Sequence, residues 1–135
     1  MIKLLIGLKG TGKTKALIES VNKALDESKG YVVCLEKGVG LRSSINYQVR
    51  LINTEDYCVD DASALGGMIA GIVAGNSDVT DIFVDGSLKI CGHDLAAFDK
   101  CLAELEKITA ANPVNITMTV SIDPADASET VKKFL

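Results

Sequence analysis

The sequence predicts a three-layer α/β/α fold around a mainly parallel sheet of five strands. Short apolar runs alternate along the chain with segments whose apolar residues recur at helical spacing. Strands that are apolar throughout are typical of parallel sheets in which helices cover both faces. With 135 residues, of which 47% are hydrophobic, the chain can form one core. We therefore expect a single domain over residues 1–135.

The first half of the chain is predicted to contain three strands and two helices. The most polar strand has an alternating pattern that suits a sheet edge, and Gly30 provides a stop for the first helix. In chain order, the elements are a strand at 2–6, a helix at 13–28, a strand at 31–35, an edge strand at 48–52 and a helix from about 60 to 75.

The second half is predicted to contain two strands and two helices. Asp94 is a helix N-cap, and Asn112-Pro113 ends that helix. In chain order, the elements are a strand at 82–85, a helix from 95 to about 111, a strand at 116–120 and a terminal helix at 124–135.

The second helix carries Gly67, Gly71 and Gly75 at intervals of four residues, which leaves one face almost without side chains. Small residues allow close approach of two backbones. The face therefore indicates either close packing on the sheet or a contact with a second helix in a homo-oligomer.

Composition and charge narrow the class of protein. Only two residues, Arg42 and Arg50, are arginines, the net charge is −4, and no basic stripe indicates a nucleic-acid partner. The apolar stretch 62–75 is too short for a bilayer of about 30 Å, so no membrane partner is expected. The four cysteines lack Cys-x-x-Cys spacing, which favours reduced thiols in the cytoplasm over a zinc site built from Cys58, Cys101 and the Cys91–His93 segment.

One motif carries specific chemistry. Residues 7–14 fit G-x-x-x-x-G-K-[ST] at every fixed position, between a predicted strand and a predicted helix. This is the P-loop pattern, in which backbone N–H groups and a helix N-terminus bind a polyphosphate. We expect Lys13 to reach the β- and γ-phosphates and the Thr14 hydroxyl to coordinate Mg²⁺. The predicted nucleotide-binding residues are Gly7, Leu8, Lys9, Gly10, Thr11, Gly12, Lys13 and Thr14.

Asp85 is the expected second metal residue. It closes the apolar strand at 82–85, and ligands of parallel sheets bind at the carboxyl ends of the strands. A Walker B aspartate holds magnesium from this position, although an aspartate at a strand end is also a common turn residue.

The order of elements from Met1 to about Ser121 resembles that of the RecA-like ATPases. The resemblance implies that Glu36, after the second strand, orients the attacking water, and that Thr119 or Ser121 senses the γ-phosphate. It also implies that the P-loop strand lies at one edge of the sheet beside the 116–120 strand, shielded by the C-terminal helix or a second subunit. Gly86 departs from ATPases that carry a glutamate after the Walker B aspartate.

Three functions remain open at this point. The first is an ATP-binding, Mg²⁺-dependent NTPase with weak or partner-dependent hydrolysis, and the second is a binding module that senses nucleotide without hydrolysing it. The third is a small-molecule kinase that holds its acceptor with residues 37–42.

A partner or second copy would dock at the P-loop-strand edge or on the glycine face. A GTPase fits poorly because Asp-x-x-Gly does not follow the Walker B strand and Asn-Lys-x-Asp is absent.

Overall fold

Five parallel strands form a single sheet in the computed structural model, which describes residues 1–135. The strands are β1 (Ile2–Gly7), β2 (Tyr31–Glu36), β3 (Arg50–Asn53), β4 (Val79–Asp85) and β5 (Asn115–Ser121). Their order is β1-β5-β4-β2-β3, and every neighbouring pair is parallel. The predicted order is confirmed, because β1 lies at one edge beside β5 and β3 lies at the other edge.

Helices cover both faces of the sheet. They are α1 (Lys13–Glu27), α2 (Ala62–Gly75), α3 (Ser87–Ile90), α4 (Leu95–Ala111) and α5 (Glu129–Lys132), with 3-10 turns at Thr54–Tyr57 and Pro124–Asp126. Helix α1 packs on one face, whereas α2 and α4 pack together on the other. The α/β prediction is therefore confirmed as a five-stranded parallel sheet between helices. None of these helices combines the length and the hydrophobicity that a membrane span requires.

The two faces of the sheet bury separate apolar clusters because strand side chains alternate between faces. Leu35, Val84 and Met118 belong to the larger cluster, which also contains the buried side chains of α2 and α4. Cys34 and Phe83 belong to the smaller cluster, under α1. The carboxyl ends of β1, β4 and β5 lie next to the start of α1. The predicted nucleotide-binding residues are at this end of the sheet.

The segment between β2 and β3 completes the layer beside α1. Leu41, Ile45 and Val49 are buried there against the smaller cluster, although the segment has no regular structure. Strand β3 begins two residues later than predicted because a turn precedes it, in which the Gln48 N–H donates to Oδ1 of Asn46 over 2.9 Å.

The C-terminal segment does not form the continuous helix predicted for residues 124–135. It divides into the 3-10 turn and α5, separated by Ala127 in an extended conformation. Ser128 explains the division, because its hydroxyl accepts the Val131 N–H at 3.1 Å as an N-cap and donates to Oδ1 of Asp99 at 2.8 Å. A new helix therefore starts at residue 129.

The C-terminal segment also covers the outer edge of β1. The Leu4 N–H, which points away from β5, donates to the Phe134 carbonyl at 2.9 Å. Unpaired backbone groups at an apolar edge invite pairing with other chains. The C-terminal helix was one of the two predicted shields, and the contact at Leu4 shows the C-terminal segment in that place.

The interpretation of Gly67, Gly71 and Gly75 as a face packed on the sheet is wrong. All three are exposed, and a Cβ built at any of them meets no atom within 4 Å. The glycine that packs inside is Gly66, where a Cβ would lie 3.3 Å from Sγ of Cys101. The buried side of α2 is set by its larger apolar residues, which turn these three glycines toward solvent.

Candidate functional site

The loop between β1 and α1 has a backbone that requires glycine. Gly12, the N-cap of α1, has a left-handed φ of 84°, a conformation that side chains rarely adopt. At Gly7, a Cβ would lie 2.5 Å from Oγ1 of Thr11. Thr11 itself closes the loop, because its hydroxyl donates to the Leu8 carbonyl at 2.7 Å.

This loop presents a group of unpaired backbone donors. The N–H groups of Gly10, Gly12, Lys13, Thr14 and Lys15 donate no hydrogen bond within the chain. The last four lie at the start of α1, where the helix dipole places partial positive charge. Several N–H groups converging at a helix N-terminus favour a bound anion such as a phosphate.

Lys13 folds back over the loop. Its ammonium Nζ lies 2.8 Å from the Leu8 carbonyl and 3.4 Å from Oγ1 of Thr11. Both partners are neutral, and an ammonium binds an ionised oxygen more strongly than a neutral one. The side chain is therefore held close to the unpaired N–H groups and can exchange its partners for phosphate oxygens.

Asp85, at the carboxyl end of β4, connects three elements. Its Oδ1 accepts hydrogen bonds from the Thr14 hydroxyl at 3.3 Å and from the Thr119 hydroxyl at 2.8 Å. Oγ1 of Thr119 in turn accepts the Gly86 N–H at 2.7 Å. The motif threonine on α1 and the strand-end aspartate, 71 positions apart in sequence, thus meet beside the loop.

These residues line a cavity of about 610 Å³ that contains no hydrophobic lining residue. Asp85 is its single carboxylate, whereas its lysines are Lys9, Lys13, Lys15 and Lys89. None of these four lysines lies within ion-pair distance of a carboxylate, since the two salt bridges of the chain are both elsewhere. A cavity with four unpaired lysines in a protein of net charge −4 attracts polyanions.

The other predicted residues differ in their relation to this cavity. Ser121, paired in register with Gly7, lines it, as does Thr119. Glu36 lies beside Asp85 in the sheet but does not line the cavity. Its Oε2 instead accepts the Leu41 N–H at 3.0 Å.

The Cys34 thiol is buried near the carboxylates of Glu36 and Asp85. Burial raises its pKa to about 12, with smaller contributions from the negative charges of Asp85 and Glu36. Cys34 is therefore a protonated core residue at neutral pH.

Sequence reasoning missed Lys89 and His93, both of which line the cavity. They lie in and just after the one-turn helix α3, which was not predicted. The available signal was the short segment between Gly86 and Gly92, in which Lys89 is the single charged residue.

A larger cavity, of about 910 Å³, lies at the opposite edge of the sheet beside β3. Half of its lining residues are hydrophobic, and it includes Gly38, Val39 and Arg42 from the segment predicted to hold a kinase acceptor. It contains none of the P-loop residues. A kinase acceptor held there would not share a cavity with the loop between β1 and α1.

No group of three or more His, Cys, Asp or Glu side chains is arranged to hold a metal ion. Burial raises the pKa of Cys91 to about 12 and that of Cys101 to about 11.

No protein-family model matches the chain, and no curated protein matches it. The function of this cavity must therefore be argued from its own residues and their geometry.

Proposed function

We propose that the chain is a P-loop nucleotide-binding protein that binds the Mg²⁺ complex of ATP or of another nucleoside triphosphate. The observation that carries the proposal is the contact between the Thr14 hydroxyl and the Asp85 carboxylate at 3.3 Å. The motif alone predicts a phosphate-binding loop. A carboxylate from another strand beside its threonine supplies the second half of a metal–phosphate site.

The phosphates have a defined place in this proposal. The unpaired N–H groups of residues 12–15 bind phosphate oxygens at the start of α1. Lys13 exchanges the Leu8 carbonyl for the β- and γ-phosphates. Ser121, on the β5 side of the cavity, has an exposed hydroxyl that can contact the terminal phosphate, whereas the Thr119 hydroxyl already donates its proton to Asp85.

The oxygen donors fit Mg²⁺. This ion prefers oxygen ligands, keeps several waters and is bound by one or two carboxylates together with substrate phosphates. The Thr14 hydroxyl and the Asp85 carboxylate are such donors, and they already lie next to each other. When bound, the metal would neutralise phosphate charge. Adenine as the base rests on the resemblance to RecA-like ATPases.

Weak or partner-dependent hydrolysis is the enzymatic form of the proposal, with Glu36 as the residue that orients water. The non-hydrolysing sensor is the second candidate, and one contact favours it. The Glu36 carboxylate is buried, its Oε2 accepts the Leu41 N–H, and it does not line the cavity, so a catalytic role requires a water that reaches its other oxygen.

We expect Lys13→Ala to abolish detectable binding of Mg-ATP, because it removes the ammonium group that lies beside the unpaired N–H groups of the loop. Calorimetric titration of both proteins with ATP and GTP, with and without Mg²⁺, measures this. Thermal unfolding should be nearly unchanged, since Lys13 packs in no apolar cluster.

The matched control is Lys100→Ala, which removes an exposed lysine from α4 away from the cavity. It should bind Mg-ATP as the wild type does. Equal affinity of Lys13→Ala and wild type would contradict the assignment of the loop.

A further inference from the structure

We propose that Lys89 binds the terminal phosphate of the bound triphosphate from the side opposite the P-loop and makes the site selective for triphosphate over diphosphate. This inference rests on the proposed function. Lys89 belongs to α3 and reaches the cavity from the β4 side, whereas the other three lysines of the cavity come from the loop and the start of α1.

The packing of α3 leaves Lys89 exposed at the cavity. Ser87, Leu88, Ile90 and Cys91 are all buried, and Lys89 is the exposed residue among them. Its side chain makes no ion pair within the chain. The one lysine of this turn is thus held on the surface of the phosphate cavity by the burial of its neighbours.

Both ends of α3 are fixed by hydrogen bonds. At the start, the buried Ser87 hydroxyl donates to the Thr119 carbonyl at 2.8 Å, and the Gly86 N–H donates to the Thr119 hydroxyl at 2.7 Å. The Thr119 hydroxyl donates in turn to Asp85. The backbone that carries Lys89 is therefore connected through Thr119 to the proposed metal residue.

The end of α3 is closed by a Schellman motif. The His93 N–H donates to the Leu88 carbonyl at 2.9 Å and the Gly92 N–H donates to the Lys89 carbonyl at 3.3 Å. Gly92 and His93 both have left-handed φ values, of 66° and 60°. A non-glycine residue seldom adopts this conformation. The two hydrogen bonds of the motif therefore hold the backbone of His93 in place at the end of α3.

The position along the phosphate chain follows from the order of the lining groups. The N–H groups and Lys13 lie at the start of α1, and the Thr14–Asp85 pair would hold a metal ion that neutralises phosphate charge. Lys89 lines the same cavity from α3, the turn of chain that follows Asp85 and β4. A terminal phosphate between Lys13 and Lys89 has a cation on two sides, whereas a diphosphate lacks the group that Lys89 contacts.

The test compares the affinities of Lys89→Gln and wild type for Mg-ATP and Mg-ADP, by calorimetry at about 0.15 M salt. We expect Lys89→Gln to weaken Mg-ATP binding about tenfold and Mg-ADP binding less than about twofold, because a charged hydrogen bond to one phosphate is lost. Lys89→Arg should restore most of the preference. Lys100→Gln, with the same change of net charge on an exposed helix position, should change neither affinity by more than about twofold.

The outcomes separate this inference from the proposed function. If the wild type binds Mg-ATP and Lys89→Gln binds it equally well, or loses ATP and ADP affinity equally, the role of Lys89 is overturned and the nucleotide site stands. If the wild type binds neither ATP nor GTP, the proposed function fails first. An equal melting temperature of Lys89→Gln and wild type excludes misfolding as the cause of a loss.

Discussion

At the scale of single residues, Thr119 organises the site as much as the motif does. Its hydroxyl accepts the Gly86 N–H and donates to Asp85, so both of these hydrogen bonds orient groups around the cavity. It is only 2% exposed. A buried hydroxyl that is satisfied on both sides holds the Asp85 carboxylate in one orientation, where Oδ1 also meets Thr14.

Glu36 gives the sharpest residue-scale prediction about catalysis. We expect Glu36→Gln to keep Mg-ATP affinity while lowering phosphate release about a hundredfold or more, the scale of losing a general base. Glutamine keeps a side-chain oxygen for the Leu41 N–H, so stability should change little. Phosphate release under saturating Mg-ATP measures the effect, and Glu104→Gln on the exposed side of α4 is the control.

Three results of that assay separate the candidate functions. A slow Glu36→Gln variant beside an active wild type supports the ATPase. Equal turnover of the two removes Glu36 from the mechanism. No turnover in either protein, with intact binding, supports the nucleotide-sensing module.

The residues of the candidate site differ in how far sequence could predict them. The loop residues could be predicted because they are consecutive, and Asp85 because it ends a buried strand. Lys89 could not, since its place in the cavity depends on the burial of its four neighbours in and after α3. The Thr119–Asp85 contact depends on the pairing of β4 with β5, so the sequence left Thr119 and Ser121 as alternatives.

At the scale of elements, α2 shows why a glycine pattern does not fix an orientation. The helix buries Ala62, Leu65, Gly66 and Ile69. Because these residues face the core, Gly67, Gly71 and Gly75 face away from it. The glycine face, which was considered as a surface for a second copy or a protein partner, is not covered by any other part of this chain. The P-loop-strand edge, the other surface considered, is bonded at Leu4 to the chain's own C-terminal segment.

We expect Gly67→Ala to raise the free energy of unfolding by about 0.5–1 kcal/mol, because alanine is the better helix former and its methyl group meets no atom. Gly66→Ala should lack this gain, since its methyl group would lie 3.3 Å from Sγ of Cys101. Urea unfolding of the three proteins measures both. A Gly67→Ala variant less stable than wild type would contradict an open face and indicate that a second copy covers it.

The boundaries of helices could be predicted where the residue that starts or stops the helix acts on its own sequence neighbours. Asp94 caps α4 as expected, and its carboxylate accepts the Ala97 N–H at 3.0 Å. The division of the C-terminal helix was not predictable in the same way. Ser128 becomes a cap because Asp99, on α4, accepts its hydroxyl, and that neighbour exists only in the folded chain.

At the scale of the whole molecule, charge and hydrophobicity are distributed unevenly around one sheet. The four lysines of the polar cavity lie near the carboxyl ends of β1, β4 and β5, although the chain as a whole is acidic. The larger, half-apolar cavity lies at the β3 edge and shares no residue with it. The fold thus separates a surface suited to polyanions from one suited to less charged groups.

The most direct test of the proposed nucleotide site is the change in backbone amide NMR shifts of the ¹⁵N-labelled chain on titration with Mg-ATP, repeated with Mg-GTP. We predict the largest shift changes at Gly10, Gly12, Lys13 and Thr14, whose N–H groups are unpaired, and at Gly86, whose N–H is bonded to Thr119 beside Asp85. The Lys13→Ala variant should show none of them. Absence of shifts with either nucleotide, or shifts confined to the β3-edge cavity, would contradict the account.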